Sequence, residues 1–311
     1  MKKIKILVTG GAGFIGSHIV DRLIDEGYEV IVVDNLSSGR EGNINKKARF
    51  YKMDIQDKGI ETVFQKERPD YVNHQAAHID VRRSVSDPVF DAKTNVLGMI
   101  NVLQSCIKYK VKKVIFASSG GTVYGEQQTF PATEAHPLRP VSPYGITKLA
   151  GENYLHYYKI TYGLDFATLR YANVYGPRQD PFGEAGVVAI FIQKMLDGEQ
   201  PIINGDGKQT RDFVYVEDVV MANVLSITNY TPENIFNIGT GVETSVNQIF
   251  NKLKEIINPG IKEKHGPPKT GEQLRCVLEC KRAKEVLNWT PETSFEDGLR
   301  KTYEFFKDVG K

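Results

Sequence analysis

Tyr144-Gly145-Ile146-Thr147-Lys148 sets a phenol and an ammonium four residues apart, which on a helix puts both on one face. The pair suits proton transfer. A tyrosine acting as a base near neutral pH must lose about three units from its ordinary pKa near 10, roughly 4 kcal/mol in favour of phenolate. One cation ~5 Å away at an effective dielectric of about 20 supplies about 3 kcal/mol of that, and Lys148 is placed to be such a cation. The spacing is not sufficient by itself, because Tyr109…Lys113 and Tyr303…Lys307 repeat it and both read as surface helix residues. Context singles out Tyr144. It follows the turn-prone Pro140-Val141-Ser142-Pro143, and the hydroxyls Ser118 and Ser119 lie upstream at a strand end.

A second constellation supplies further positive charge. Gly10-Gly11-Ala12-Gly13-Phe14-Ile15-Gly16 follows the first apolar run and opens a helical pattern, matching both GxGxxG and GxxGxxG. Glycines here allow a tight turn and a close backbone approach to pyrophosphate, and the free N–H groups of the helix start favour the anion. Asp34 ends the next apolar run, Val30-Ile31-Val32-Val33. Its carboxylate is placed to accept from adenosine ribose hydroxyls and to repel a 2′-phosphate, which points to NAD over NADP. Arg40 nearby reads as a solvated arginine. A nicotinamide ring bound this way adds its charge to that of Lys148.

These residues need a frame. Lys5–Val8, Glu29–Val33, Arg49–Met53, Tyr71–Asn73, Val114–Ala117 and Phe166–Arg170 read as strands, with helices between them, clearest at Ser17–Glu26 and Thr94–Tyr109. The alternation predicts an α/β fold with a Rossmann-type doubly wound parallel sheet, its ligand beyond the carboxyl ends of the strands. From Gly176 to Gly183 turn formers dominate, and no regular strand spacing follows. Residues 1–175 are therefore read as an NAD-binding domain and 176–311 as a smaller α/β substrate lobe, with 213–240 returning to the main sheet. The 311 residues suffice for a full core without disulfides or metal. Forty basic against 38 acidic residues leave a net charge of +2, which argues against nucleic acid or an anionic membrane as partner. Cys106, Cys276 and Cys280 show no CxxC spacing and the six histidines no HExxH, so neither a disulfide framework nor a metal is expected. Reduced thiols suit a cytoplasm. No apolar stretch approaches the ~20 residues that span a bilayer.

Taken together, Thr9–Gly16, Asp34-Asn35, Asp54-Ile55, His74-Gln75-Ala76-Ala77, Asn95, Ser118–Gly125, Tyr144…Lys148, Arg170-Tyr171-Ala172-Asn173 and Arg211-Asp212-Phe213-Val214 resemble the extended short-chain dehydrogenase/reductase superfamily, and within it the UDP-glucose 4-epimerases. The likeness covers essentially the whole chain. It implies NAD on Gly10, Gly13, Phe14, Ile15, Gly16, Asp34, Asn35, Ser37, Ser38 and Gly39, with Asp54 and Ile55 flanking the adenine. Ala76, Ala77 and Asn95 would line the path to the nicotinamide, with Gln75, His78, Ser118 and Tyr171 also on the cofactor. Tyr144 would be the base and Lys148 would hold the nicotinamide ribose. Asn173 and Arg211 would bind the diphosphate of a UDP-hexose, with Val187 and Val188 near the uracil and Asn204 among the substrate residues. In the implied reaction Tyr144 takes the 4-hydroxyl proton while hydride passes to NAD⁺. The transient 4-keto sugar then turns over and receives the hydride on its other face, so NAD stays bound. The family also commonly pairs two helices per subunit into a homodimer.

One departure concerns the loop before Val123-Tyr124-Gly125, where the family carries Ser or Thr and this chain has Gly120. Ser119 is the substitute hydroxyl for the sugar's 4-oxygen, with Thr122 in reserve. Related 4,6-dehydratases place an Asp-Glu pair just before this Val-Tyr-Gly, and decarboxylases a Glu; Gly121-Thr122 supplies no carboxylate. A non-catalytic NAD-binding regulator would have no use for Tyr144 and Lys148 together. Finally, Lys269-Thr270-Gly271-Glu272 resembles the family's Arg-x-Gly-Asp diphosphate motif, and seven residues on stands Cys276. In this family that position gates the pocket beside carbon 2. A small residue there implies room for an N-acetyl group, while the alternative is a cysteine that only packs.

Overall fold

The computed structural model describes residues 3–182, 186–268 and 273–309. Its strands are β1 (Lys5–Thr9), β2 (Glu29–Asp34), β3 (Arg49–Lys52), β4 (Tyr71–His74), β5 (Lys113–Ser119), β6 (Asp165–Tyr171), β7 (Asn173–Tyr175), β8 (Ile203–Asn204), β9 (Thr210–Tyr215), β10 (Ile235–Ile238), β11 (Glu243–Ser245), β12 (His265–Gly266) and β13 (Arg275–Cys276). β2 is buried along its whole length after Glu29. A continuous β-branched run of this kind belongs in a parallel sheet covered on both faces. Seven strands make that sheet in the order β10-β6-β5-β4-β1-β2-β3, every pair parallel. The order reverses between β1 and β4, which opens a crevice beyond their carboxyl ends.

Alternate side chains divide the core. Ile6, Val8, Val32, Ile115 and Leu169 pack with the helices Phe14–Asp25 and Val216–Thr228. Leu7, Ile31, Val33, Val72 and Val114 pack with the helices Ile60–Glu67, Gly98–Lys108 and Pro143–Tyr162. A third cluster lies in the C-terminal half, where Val188, Phe191 and Ile192 of the helix Val187–Leu196 meet Phe250, Leu253, Tyr215 and Phe306. Among the described residues no helix is long and apolar enough to cross a membrane.

The structure departs from the sequence expectations at several boundaries. The helix expected over Thr94–Tyr109 is a π-helical segment, Lys93–Leu97, running into Gly98–Lys108. Tyr109 ends that helix, whereas Lys113 opens β5 at 3% exposure and donates to the Asn229 carbonyl. Tyr109…Lys113 is thus no helix pair at all. The strands of the expected α/β lobe lie in two small sheets, β11-β9-β13 with β7 beside β9, and β12-β8. Most are two or three residues long, too short for alternation to register. Phe213–Tyr215 belong to β9 in that small sheet, so the main sheet is rejoined only from Val216, through the helix Val216–Thr228 and β10.

Candidate active site

The glycine run is shaped by contact distances. Gly10 has φ +70°, and a Cβ on it would lie 2.7 Å from the Ala76 nitrogen; one on Gly16 would lie 2.1 Å from the Gly10 carbonyl oxygen. The helix Phe14–Asp25 starts straight after Gly13 with no side-chain cap, leaving its first N–H groups to an anion. Asp34, buried at the end of β2, accepts from the Ala12 nitrogen at 3.0 Å and from the Leu36 nitrogen at 2.8 Å. Gly39 closes on the same carboxylate: a Cβ there would lie 2.9 Å from Asp34 Oδ1. Asn35 donates to Asp54 at 2.7 Å, joining the ends of two neighbouring strands.

This crest opens on a cavity of about 630 Å³ at the carboxyl ends of the strands, well within the size of a cofactor site. Gly10, Gly13, Phe14, Ile15, Gly16, Asp34, Asn35, Ser37 and Ser38 wall one end, and Asp54 and Ile55 stand beside them. Gln75, Ala76, Ala77, His78, Ser118, Tyr144, Lys148 and Tyr171 wall the rest. Asn95 does not reach the wall. Its amide is consumed behind it, donating to the His78 carbonyl and to Asp91, and accepting from the His78 nitrogen at 2.7 Å. The Ser118 hydroxyl is likewise turned away, donating to buried Glu152 at 2.6 Å.

The helix Pro143–Tyr162 delivers Tyr144 and Lys148. Ser142 caps it, accepting from the Gly145 nitrogen at 3.1 Å, and Pro143 occupies its first turn. Tyr144 and Lys148 are both buried, at 9% and 4% exposure. Lys148 Nζ lies 5.7 Å from the Tyr144 ring centre and donates to the Ala117 carbonyl at 2.8 Å. Burial pushes the Tyr144 phenol above its ordinary range, and Asp91 adds to that. Burial also draws the Lys148 ammonium down to about 8, opposed by Asp91 and Glu152. Desolvation counters the help expected from Lys148, so the chain's own groups do not make Tyr144 acidic. Beside them His74 is held down to about 3 by burial first and by Lys148 second. It is therefore neutral, with Nδ1 2.8 Å from Thr9 Oγ1.

In the loop before Val123, a Cβ on Gly120 would lie 2.5 Å from Leu278 Cδ1, so a side chain there would need Leu278 to shift. Glycine avoids that shift where Ser or Thr was expected. Of the two candidate replacements, Ser119 is partly exposed, whereas the Thr122 hydroxyl is buried without a hydrogen-bond partner among the described residues. Asn173 Oδ1 lies 3.7 Å from the place of a Cβ on Gly121, so its amide flanks this loop. Arg211 and Cys276 are register partners on β9 and β13. Arg211 donates to the Thr210 and Gln273 carbonyls, at 2.8 and 2.6 Å. Cys276 Sγ is 3.9 Å from the Gly120 oxygen and its thiol is pushed up to about 12 by burial. Val188 offers no exposed surface to a uracil. It is wholly buried in the C-terminal core, on the inward face of its helix, so only Val187 at the helix start retains exposure. Asn204 sits on β8, partly exposed. Lys269 and Glu272 lie outside the described residues.

Other cavity residues escaped the sequence reading. Thr94, in the π-helical segment, has a buried hydroxyl without a partner among the described residues. Arg178, a non-glycine at φ +67°, pairs with Asp21 at 2.8 Å, and Asp180 pairs with Arg40 at 3.1 Å. Arg40 is exposed, as expected of a solvated arginine, and also pairs at the surface with Asp180. The turn-rich run Gly176–Gly183 marked a boundary in the sequence, and nothing in it announced a cavity wall.

The model of the NAD dependent epimerase/dehydratase family matches residues 6–239. A UDP-glucose 4-epimerase from Thermotoga maritima, solved with UDP-glucose, is 52% identical with a TM-score of 0.97, covering 99% of this chain and 100% of that one. A UDP-glucose 4-epimerase from Thermus thermophilus, solved with NAD, is 43% identical with a TM-score of 0.92, covering 98% and 99%. A UDP-N-acetylglucosamine 4-epimerase from Methanobrevibacter ruminantium, in complex with UDP-N-acetylmuramic acid, is 37% identical with a TM-score of 0.93, covering 99% and 100%.

Proposed function

This chain belongs to the NAD dependent epimerase/dehydratase family, and we propose that it interconverts UDP-glucose and UDP-galactose by inverting carbon 4, with NAD resident. The observation that carries this reading is a buried Tyr144–Lys148 pair on the wall of the same cavity as the glycine cradle. The fit to a dinucleotide rests on the cradle, where side chains at Gly10 or Gly16 would fill the space, on the uncapped helix start and on Asp34. NAD bound there supplies the hydride acceptor and donor and a positive ring charge. Residues 1–175, with the helix Val216–Thr228 and β10, form the cofactor unit in this reading, and the remainder grips the sugar nucleotide. Tyr144 takes the proton of the 4-hydroxyl and returns it to the same oxygen; Lys148 holds the ribose and favours phenolate. Thr122 or Ser119 donates to the 4-oxygen, and Asn173 and Arg211 hold the diphosphate.

Cys276 faces the Gly120 carbonyl from β13, and its small side chain favours a second substrate pair, UDP-N-acetylglucosamine and UDP-N-acetylgalactosamine. Leu97, Ile146, Tyr157 and Ile160 stand 48–73% exposed on the segments Lys93–Leu97 and Pro143–Tyr162. Apolar area of this kind supports a homodimer formed by these helices. The three thiols, all free, suit a cytoplasmic enzyme.

Purified protein should carry NAD and turn over both UDP-hexoses without added cofactor, the N-acetylated pair included. Stoichiometric NADH accumulation would remove the epimerase reading. Cys276→Tyr should then depress turnover of the N-acetylated sugar steeply and leave UDP-glucose turnover near wild type. Equal losses on both would reduce Cys276 to packing.

A further inference from the structure

Behind the cavity wall lies a carboxylate that neither the cradle nor the proton-transfer pair accounts for. Asp91, in the short helix Pro88–Ala92, is completely buried. Its Oδ2 accepts from Thr147 Oγ1 at 2.9 Å and its Oδ1 from Asn95 Nδ2 at 3.0 Å. Thr147 lies between Tyr144 and Lys148 in sequence, and its hydroxyl is also 2.9 Å from the Tyr144 carbonyl oxygen. A dry carboxylate therefore grips the turn of helix that carries both proton-transfer side chains.

Charged and titratable groups near Asp91 come from several elements, among them Asp87 at the start of its own helix and Arg82 on the helix Val81–Ser86. From the helix Pro143–Tyr162 come Tyr144, Lys148 and, beyond Lys148, Glu152. From the loop after β4 comes His78, with Nδ1 3.6 Å from Asp91 Oδ1, too far for a hydrogen bond. From the helix Val81–Ser86 comes Arg83, whose guanidinium stacks on Phe90 4.1 Å from the ring centre. Lys93 follows on the same stretch and is exposed. Among these, the buried ammonium of Lys148 is the cation that most needs a counter-charge. Burial opposes its charged form, and the field of Asp91 is the largest influence acting the other way. The same field opposes ionisation of Tyr144.

We propose that Asp91 is a positioning residue of this reaction, a buried counter-charge that keeps Lys148 an ammonium and sets the pH range in which Tyr144 acts as base. The proposal rests on the epimerase reading. Neutralising Asp91 removes a negative charge felt by both groups, so the phenol ionises more readily and the ammonium loses its proton more readily. Both limbs of the kcat–pH profile then move to lower pH.

The test is Asp91→Asn in the NAD-loaded enzyme, which keeps the shape and one acceptor oxygen. Both limbs should shift acidward by about one pH unit or more. A pH titration of phenolate absorbance, taken as the difference from Tyr144→Phe, should shift in the same direction and does not depend on turnover. Asp91→Glu, which keeps the charge, should restore the wild-type limbs. Asp91→Ser serves as a second neutral variant if the amide disturbs folding. Unmoved limbs in a folded neutral variant would overturn the proposal, and so would failure of both neutral variants to fold, since Asp91 would then be structural. Absence of turnover in the wild type would instead defeat the epimerase reading itself.

Discussion

Lys307 lies over the ring of Tyr303 with Nζ 5.7 Å from its centre, the same distance that separates Lys148 from Tyr144. Local geometry therefore does not distinguish the two pairs; surroundings do. Lys307 is exposed and Tyr303 half-buried, while Tyr144 and Lys148 are buried on the cavity wall. Water screens the first pair, whereas the second acts in a low dielectric where each charge counts for more. Tyr144→Phe should lower turnover by about 10²–10⁴-fold, the usual contribution of a proton-transfer group, with NAD content unchanged. Tyr303→Phe should leave turnover near wild type. A steady-state assay on both variants checks the pair, and retention of most activity in Tyr144→Phe would take that residue out of the reaction. Tyr144 and Lys148 were legible because their spacing joined a glycine loop upstream. Asp91 was not, because a carboxylate four residues before Asn95 has no meaning until folding buries it. Asn95 and Ser118 fell close to the site, but their side chains are spent on His78, Asp91 and Glu152 instead of on the cavity.

At the scale of elements, the first half of the fold was readable because its strands are four to seven residues long and its helices are amphipathic. In the second half the return to the main sheet through β10 was legible, but the small sheets were not. Their strands owe their existence to pairing with distant segments, such as β7 with β9 and β9 with β13, and pairs of that kind leave no periodic trace. The glycine loop shows how one element constrains another. A Cβ on Gly16 would meet the Gly10 carbonyl oxygen at 2.1 Å, while one on Gly13 would meet it at 3.2 Å. Gly16→Ala should therefore force the strand–helix turn open, with loss of co-purifying NAD and a lower melting temperature. Gly13→Ala should keep the fold, since its neighbour need give only a few tenths of an ångström. Nucleotide absorbance of the purified proteins and thermal unfolding curves distinguish the two. Equal melting temperatures would mean that the turn yields more easily than its contacts imply.

For the whole molecule, the exposed apolar side chains on the helix Pro143–Tyr162 set the expectation of a dimer. Ile146 is 55% exposed and Ile160 73%, positions that solvent does not favour for so many large residues on one helix. Ile146→Glu would bury a carboxylate without a partner in such an interface, so light scattering should report a shift from dimer toward monomer. A wild-type monomer at micromolar concentration would discard the interface altogether. The sheet order carries a different consequence, for biosynthesis. β6 is flanked by β5 on one side and by β10 on the other, and β10 begins at Ile235. A ribosome that has just completed β6 has therefore produced a sheet with an open edge, its N–H and C=O groups unpaired. The helix Val216–Thr228, which covers one apolar face, is also still to come. The emerging chain holds that sticky intermediate while the segment from Asn173 to Tyr215 is made. The main sheet is thus completed late, only after the segment from Asn173 to Tyr215 has been made.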